Sequence, residues 1–384
     1  MQKDFHYYAT YCAAILSGYN HDEAMDICYS AQFVDLCSAT LLSRLKAPKS
    51  AATTQLQLEL MDSRTDIISL QNITRIWSSF HFLPGDLYAK KEKCSKSYLN
   101  KYRLICMPNS DLLLDTVEHA KGKSLQAVGL AMHVLADTWA HSYFAGTPSL
   151  VINNTDSYFF ELISDGDSFT EKRITFMHKP SLSDDPDTST YVNSLYQSTE
   201  NSIMNLGHGR AGHLPDYSFI RYRYLPAWGD YDDILKDNPS DYLHAFTQMI
   251  EAMKYLRGAN ASFRKSCYDF EAIAPYRDEI DSILQKRRLD ACSDWKAFGK
   301  RLSGRSIEDF DIQKYQKEYT DASPDKKDDT FIGRFILAAM VQKSMVTNAI
   351  FESGNILAGF SVNYWKKGFK GIKDYKKLLD LFRI

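Results

Sequence analysis

Apolar residues recur at spacings of three and four along residues 6–19, 22–45, 51–70, 110–120 and 124–144, with few β-branched runs. That period predicts amphipathic helices. "SPDKKDDTFIGRF" supplies the start signals of a further long helix over about 328–353, closed near Gly354. "SDDPDTST" (183–190) reads as a polar turn, and "RYRYLPAWGDYDD" (221–233) as an irregular aromatic boundary. No internal repeat is visible. The pattern predicts an all-α protein, with a main domain over 1–260 and a helical extension over 261–384.

The helix over 124–144 carries the chemistry. Within "HVLADTWAHSYFAG", His133, Asp137 and His141 follow one another at steps of four and share one face. Val134, Leu135, Trp139 and Ala140 surround them, so the helix is packed and the trio needs partners. Eight residues at about 1.5 Å rise separate His133 and His141 by roughly 12 Å. With metal–nitrogen bonds of about 2 Å, one ion could not easily hold both. If both are ligands, the helix serves two metals with Asp137 between them. The plainer alternative is a buried polar network in which neighbouring carboxylates or carbonyls satisfy each histidine.

The remaining histidines fall into two kinds. His6 in "DFHYY", His81 in "SSFHFLPGD", and His208 and His213 in "LGHGRAGHLPD" are accompanied by Asp4, Asp35 and Asp216. Imidazole with carboxylate and no cysteine suits zinc or a similar divalent ion. Glycines at 207, 209 and 212 would let both loop imidazoles turn inward. His6 and Asp4 also read as an ordinary helix start. His21, His119, His178 and His244 are assigned no role.

Composition narrows the classes. The chain has 384 residues, is 44% hydrophobic and 24% charged, and carries a net charge of −2, which does not suggest bulk nucleic-acid binding. Seven cysteines without a C-x-x-C pair read as buried, reduced thiols. Neither a signal peptide nor an eighteen-residue apolar run is seen, so the expected location is cytoplasmic, with export by a signal-independent route left open. The segment "NYWKKGFKGIKDYKK" (363–377) interleaves lysines with Trp365, Phe369 and Tyr375. It suits peripheral contact with anionic lipid or nucleic acid, or a solvated face whose aromatics pack inward.

The order His6, Asp35, His81, then H-x-x-x-D and a further histidine, resembles the zinc-dependent phospholipases C and the related fungal zinc nucleases for single strands. "FHFLPGD" and "AMHVLADTWAH" are the matching elements. "AHSYF" and the glycine-histidine segment also resemble fungal heterokaryon-incompatibility C-type proteins. The resemblance covers roughly residues 4–216 and leaves the last third unmatched. It implies an all-α phospholipase C-like domain and two or three zinc ions. One ion would be held by Asp35, His81, His133 and Asp137. A second would take His141, His208 or His213, and Asp216. A third would use His6 and share Asp137. In the family that third ion also binds the amino group of a mature N-terminal residue. Here Met1 stands five positions before His6 without a cleavable signal, so Asp4 is the expected substitute, or the third site is empty. The implied activity is phosphodiester hydrolysis by metal-activated water, which Asp35 orients or deprotonates. The substrate would be a phospholipid head group or, in the alternative reading, nucleic acid. A non-catalytic, zinc-stabilised interaction or toxin-like module remains the reading from a different class.

Overall fold

The computed structural model describes residues 1–62, 67–155, 158–165, 168–178, 181–193 and 206–360. A π-helical stretch, Asp4–Ala9, runs into α1 (Thr10–Leu16). The chain continues through α2 (His21–Phe33), α3 (Ala39–Arg44), α4 (Gln57–Asp62), α5 (Ile67–Phe80), α6 (Lys96–Tyr102), α7 (Asp111–Ala120), α8 (Leu125–Ala140) and the short α9 (Leu150–Asn153). Strands β1 (Phe160–Asp165), β2 (Ser168–Arg173), β3 (Thr175–Met177), β4 (Thr190–Val192), β5 (Arg221–Tyr224) and β6 (Ile234–Asp237) follow. The described chain closes with α10 (Asn238–Leu256), α11 (Phe270–Ile273), α12 (Arg277–Gln285), α13 (Cys292–Ser303), α14 (Gln313–Asp321) and α15 (Phe331–Glu352).

The all-α expectation is corrected. An antiparallel sheet runs in the order β2-β1-β5-β6, and β3 pairs with β4 in parallel, so the protein mixes helix and sheet. Alternation explains β5, which lies inside the stretch expected to be irregular. Tyr222 and Tyr224 are buried on one face while Arg221 and Arg223 point the other way. Their rings join Phe144 and Phe159 in a second, aromatic core. The helix expected over 22–45 is broken at 34–38, where the chain turns and Ser38 caps α3 through the Leu41 amide.

Helix α8 is the centre of the main core. Ser124 caps it, and every residue from Gln126 to Ala140 is buried. A helix enclosed all round needs apolar residues on every side except where polar groups meet partners. Gly129 makes the α2 crossing close: a Cβ there would lie 2.2 Å from the Ile27 carbonyl oxygen. Gly129→Ala is therefore expected to destabilise the fold by about 1–3 kcal/mol through overpacking. An unchanged thermal midpoint would contradict that. Helices beyond 261 share this core, since Trp295, Phe298, Phe335 and Ile336 belong to the same buried cluster as Tyr7 and Leu135. No described helix is long and apolar enough to cross a membrane. Segment 363–377 lies outside the described residues.

Candidate metal centre

Five parts of the chain converge on the polar face of α8. The π-helical start brings His6 against it, with the His6 and His133 rings stacked at 3.8 Å. The α2–α3 break supplies Asp35, and the end of α5 supplies His81. The turn at 206–216 supplies His208 and Asp216. His133, Asp137 and His141 come from α8 and its C-cap.

Asp137, almost fully buried, is the hub. Its Oδ2 lies 3.1 Å from His81 Nδ1 and 3.1 Å from His133 Nε2. Its Oδ1 lies 3.1 Å from His6 Nε2 and 3.0 Å from the Met1 ammonium. His81 Nδ1 and His133 Nε2 are 3.3 Å apart, and Asp35 Oδ1 is 3.9 Å from each. A second cluster joins His141 Nε2 to Asp216 Oδ1 at 3.1 Å, with His208 Nε2 3.7 Å from Asp216 Oδ2. Ligand atoms sharing one ion through bonds of about 2.0–2.2 Å lie no more than about 4 Å apart. Among the described residues, three groups are arranged so that each could hold a metal ion: His6–His133–Asp137, Asp35–His81–His133 and His141–His208–Asp216.

Backbone carbonyls set which nitrogen faces inward. His81 Nε2 lies 3.1 Å from the Thr53 carbonyl, His141 Nδ1 2.8 Å from the His81 carbonyl, and His208 Nδ1 2.6 Å from the Gly212 carbonyl. A carbonyl only accepts, so each of these nitrogens donates, and the opposite nitrogen of each ring faces the carboxylates of the centre, an arrangement that a cation between them would satisfy. His6 lacks a hydrogen-bond partner at either nitrogen, and His133 lacks one at Nδ1. The 3.1 Å approach of His6 to Asp137 is a close contact without hydrogen-bond alignment. Buried imidazoles without donors or acceptors are costly unless something else coordinates them.

Charge points the same way. Burial pushes the His6 and His208 pKa values down to about 4 each, so both rings are neutral near pH 7. Burial works to raise Asp137, but His141, the Met1 ammonium and the other imidazoles outweigh it and hold the carboxyl well below the usual range. Asp216 behaves likewise: the Met1 ammonium and His208 overcome burial. Burial opposes the ammonium itself, yet Asp137, Asp216 and Asp35 raise it to about 11. The centre thus favours positive charge.

An acid sensitivity follows. The unfolded chain takes up protons on His6 and His208 below about 6.5, while the folded chain refuses them until about 4. The unfolded state binds more protons in that window, so stability falls as pH drops through it. Metal-free protein should melt progressively lower from pH 7 to pH 5. A flat or rising midpoint would contradict this.

Two expected ligands stand elsewhere. Asp4 turns away from the centre and accepts from the Phe5 and Ala291 amides at 2.8 and 2.9 Å, fastening the start of the chain to α13. His213 is largely exposed and lies 3.5 Å from Asp184. The Met1 amine takes the place expected of Asp4, also approaching Asp216 at 3.1 Å and His141 Nε2 at 3.3 Å. Sequence reasoning set this amine aside because Met1 stands five positions before His6, and missed Thr53 because it acts through its carbonyl.

The chain belongs to a family of unknown function, DUF6765, which matches residues 1–350 and so takes in every candidate ligand. No curated protein and no solved structure matches it.

Proposed function

We propose that this member of DUF6765 is a zinc-dependent phosphodiester hydrolase of the phospholipase C type. The observation that carries the reading is the set of carbonyl-anchored histidines. Metal-ligating histidines characteristically donate their other ring N–H to a carbonyl or carboxylate, which fixes tautomer and orientation, and His81, His141 and His208 all do so. The set of imidazoles and carboxylates without cysteine fits zinc.

Asp137 would present one oxygen to the His81–His133 group and the other to His6. His141, His208 and Asp216 would hold a further ion, with the Met1 amine, once deprotonated, available beside them. Zinc supplies Lewis acidity, which makes water nucleophilic near neutral pH and stabilises charge on a phosphoryl group. Asp35 supports a catalytic rather than a closed structural centre. Its side chain is 32% exposed at the edge of the cluster, where a carboxylate can orient a water and take its proton.

The test is hydrolysis of a chromogenic phosphodiester and of phosphatidylcholine vesicles by protein loaded with zinc. Cleavage lost with chelator and in Asp35→Asn supports the reading. Full metal loading with no cleavage of either substrate or of single-stranded nucleic acid contradicts it, and cleavage of nucleic acid alone moves the assignment to a nuclease.

A further inference from the structure

His81 is held at several points, and two of them lead to one place on α15. Its imidazole meets the Thr53 carbonyl, and its chain leaves α5 directly after Ser79 and Phe80. Carbonyls in the last turn of a helix lack intrahelical partners and must be satisfied from outside. Gln342 does this at Ser79: its Nε2 donates to the Ser79 carbonyl at 3.1 Å and to Thr116 Oγ1 at 3.0 Å. The next residue, Lys343, donates through Nζ to the Ser50 carbonyl at 2.7 Å and to the Ala52 carbonyl, immediately before Thr53. Thr53 in turn donates from its amide to the Cys37 carbonyl at 2.9 Å and from Oγ1 to the Val34 carbonyl at 2.6 Å, on either side of Asp35.

We infer that Gln342 and Lys343 are positioning residues for the metal group of Asp35, His81 and His133. Gln342 holds the chain that carries His81. Lys343 holds the segment whose carbonyl orients its ring and whose Thr53 braces the Asp35 turn. The inference rests on the metal-centre reading, and it gives α15, within the stretch set apart in sequence as a helical extension, a part in the site. Neither residue lies in a ligand group, so each acts through Thr53, Ser79 and the ring they fix. A simple staple between α15 and the core would stabilise the whole fold. A positioning pair acts on one ion in particular.

The experiment is zinc titration of the metal-free full chain against a competing chelating dye, with thermal midpoints measured in parallel. The variants are Lys343→Met, Gln342→Met, Lys343→Arg, and Leu337→Ala, which lies on the solvent side of the same helix. Lys343→Met and Gln342→Met are each expected to weaken one class of ion about 10–100-fold, the usual effect of losing support behind a metal ligand, and to leave the others at wild-type affinity. Lys343→Arg should recover most of the loss, and Leu337→Ala should match wild type. In a His81→Ala background, Lys343→Met should add no further weakening, since both act on one ion. Wild-type affinity for every ion in folded Lys343→Met and Gln342→Met overturns the inference while leaving the metal centre standing. Equal weakening of all ions alongside a lowered midpoint overturns it in favour of a staple. A wild-type chain that takes up no zinc overturns the metal-centre reading itself, and this inference with it.

Discussion

Asp137→Asn is expected to lose the ions of two groups at once and to destabilise the metal-free fold by about 3 kcal/mol. The carboxylate faces His6 and the Met1 ammonium with one oxygen and His81 and His133 with the other. An asparagine oxygen is neutral, and its amide nitrogen is a donor that cannot ligate a metal, so the charge facing the ammonium and one of the two ligand oxygens are lost. Breaking a buried ion pair typically costs about 3–5 kcal/mol. The lower end applies because Asp216 still accompanies the ammonium at 3.1 Å. In metal-loaded protein the His141–His208–Asp216 group should keep its ion, since His141 Nε2 and His208 Nε2 face Asp216 rather than Asp137. His141→Ala should show the converse, losing mainly that one ion. Equal metal content in wild type and Asp137→Asn would contradict the hub role.

Chelation should lower the thermal midpoint by several degrees. The ligands come from the chain start, the α2–α3 break, the end of α5, α8 and the 206–216 turn, so an ion bound only by the folded arrangement stabilises it. Free metal at a thousand times Kd contributes about 4 kcal/mol per ion. His208→Ala should reduce the chelator effect because His208 approaches Asp216. His213→Ala should leave it intact, because that partly exposed ring lies against Asp184, away from the three ligand groups. A chelator-insensitive midpoint, or equal effects of the two variants, would contradict this account.

Much of the centre was legible because it depends on helical periodicity. His133, Asp137 and His141 at steps of four on an apolar helix could only share one face, and α8 places them there. His208 and His213 could not be separated in sequence, since which loop imidazole turns inward depends on the chain's path through Gly207 and Gly212, both at positive φ. Asp4 and His6 stand two residues apart on the same wound turn, so they face different ways, and the acid accepts from the Ala291 amide just before α13 instead. The sheet was missed for a local reason. Phe160–Asp165 and Ser168–Arg173 flank Gly166-Asp167, a two-residue hairpin signal that a search for helical periods does not register. The tyrosines of β5 alternate at a period of two and were read as irregular because they are aromatic rather than aliphatic.

The central claim is that this centre holds metal, and elemental analysis of protein purified without chelators tests it most directly. The account predicts more than one zinc-like ion per chain, falling in Asp137→Asn. Protein that is folded, with Asp137 intact and no transition metal bound, would contradict it.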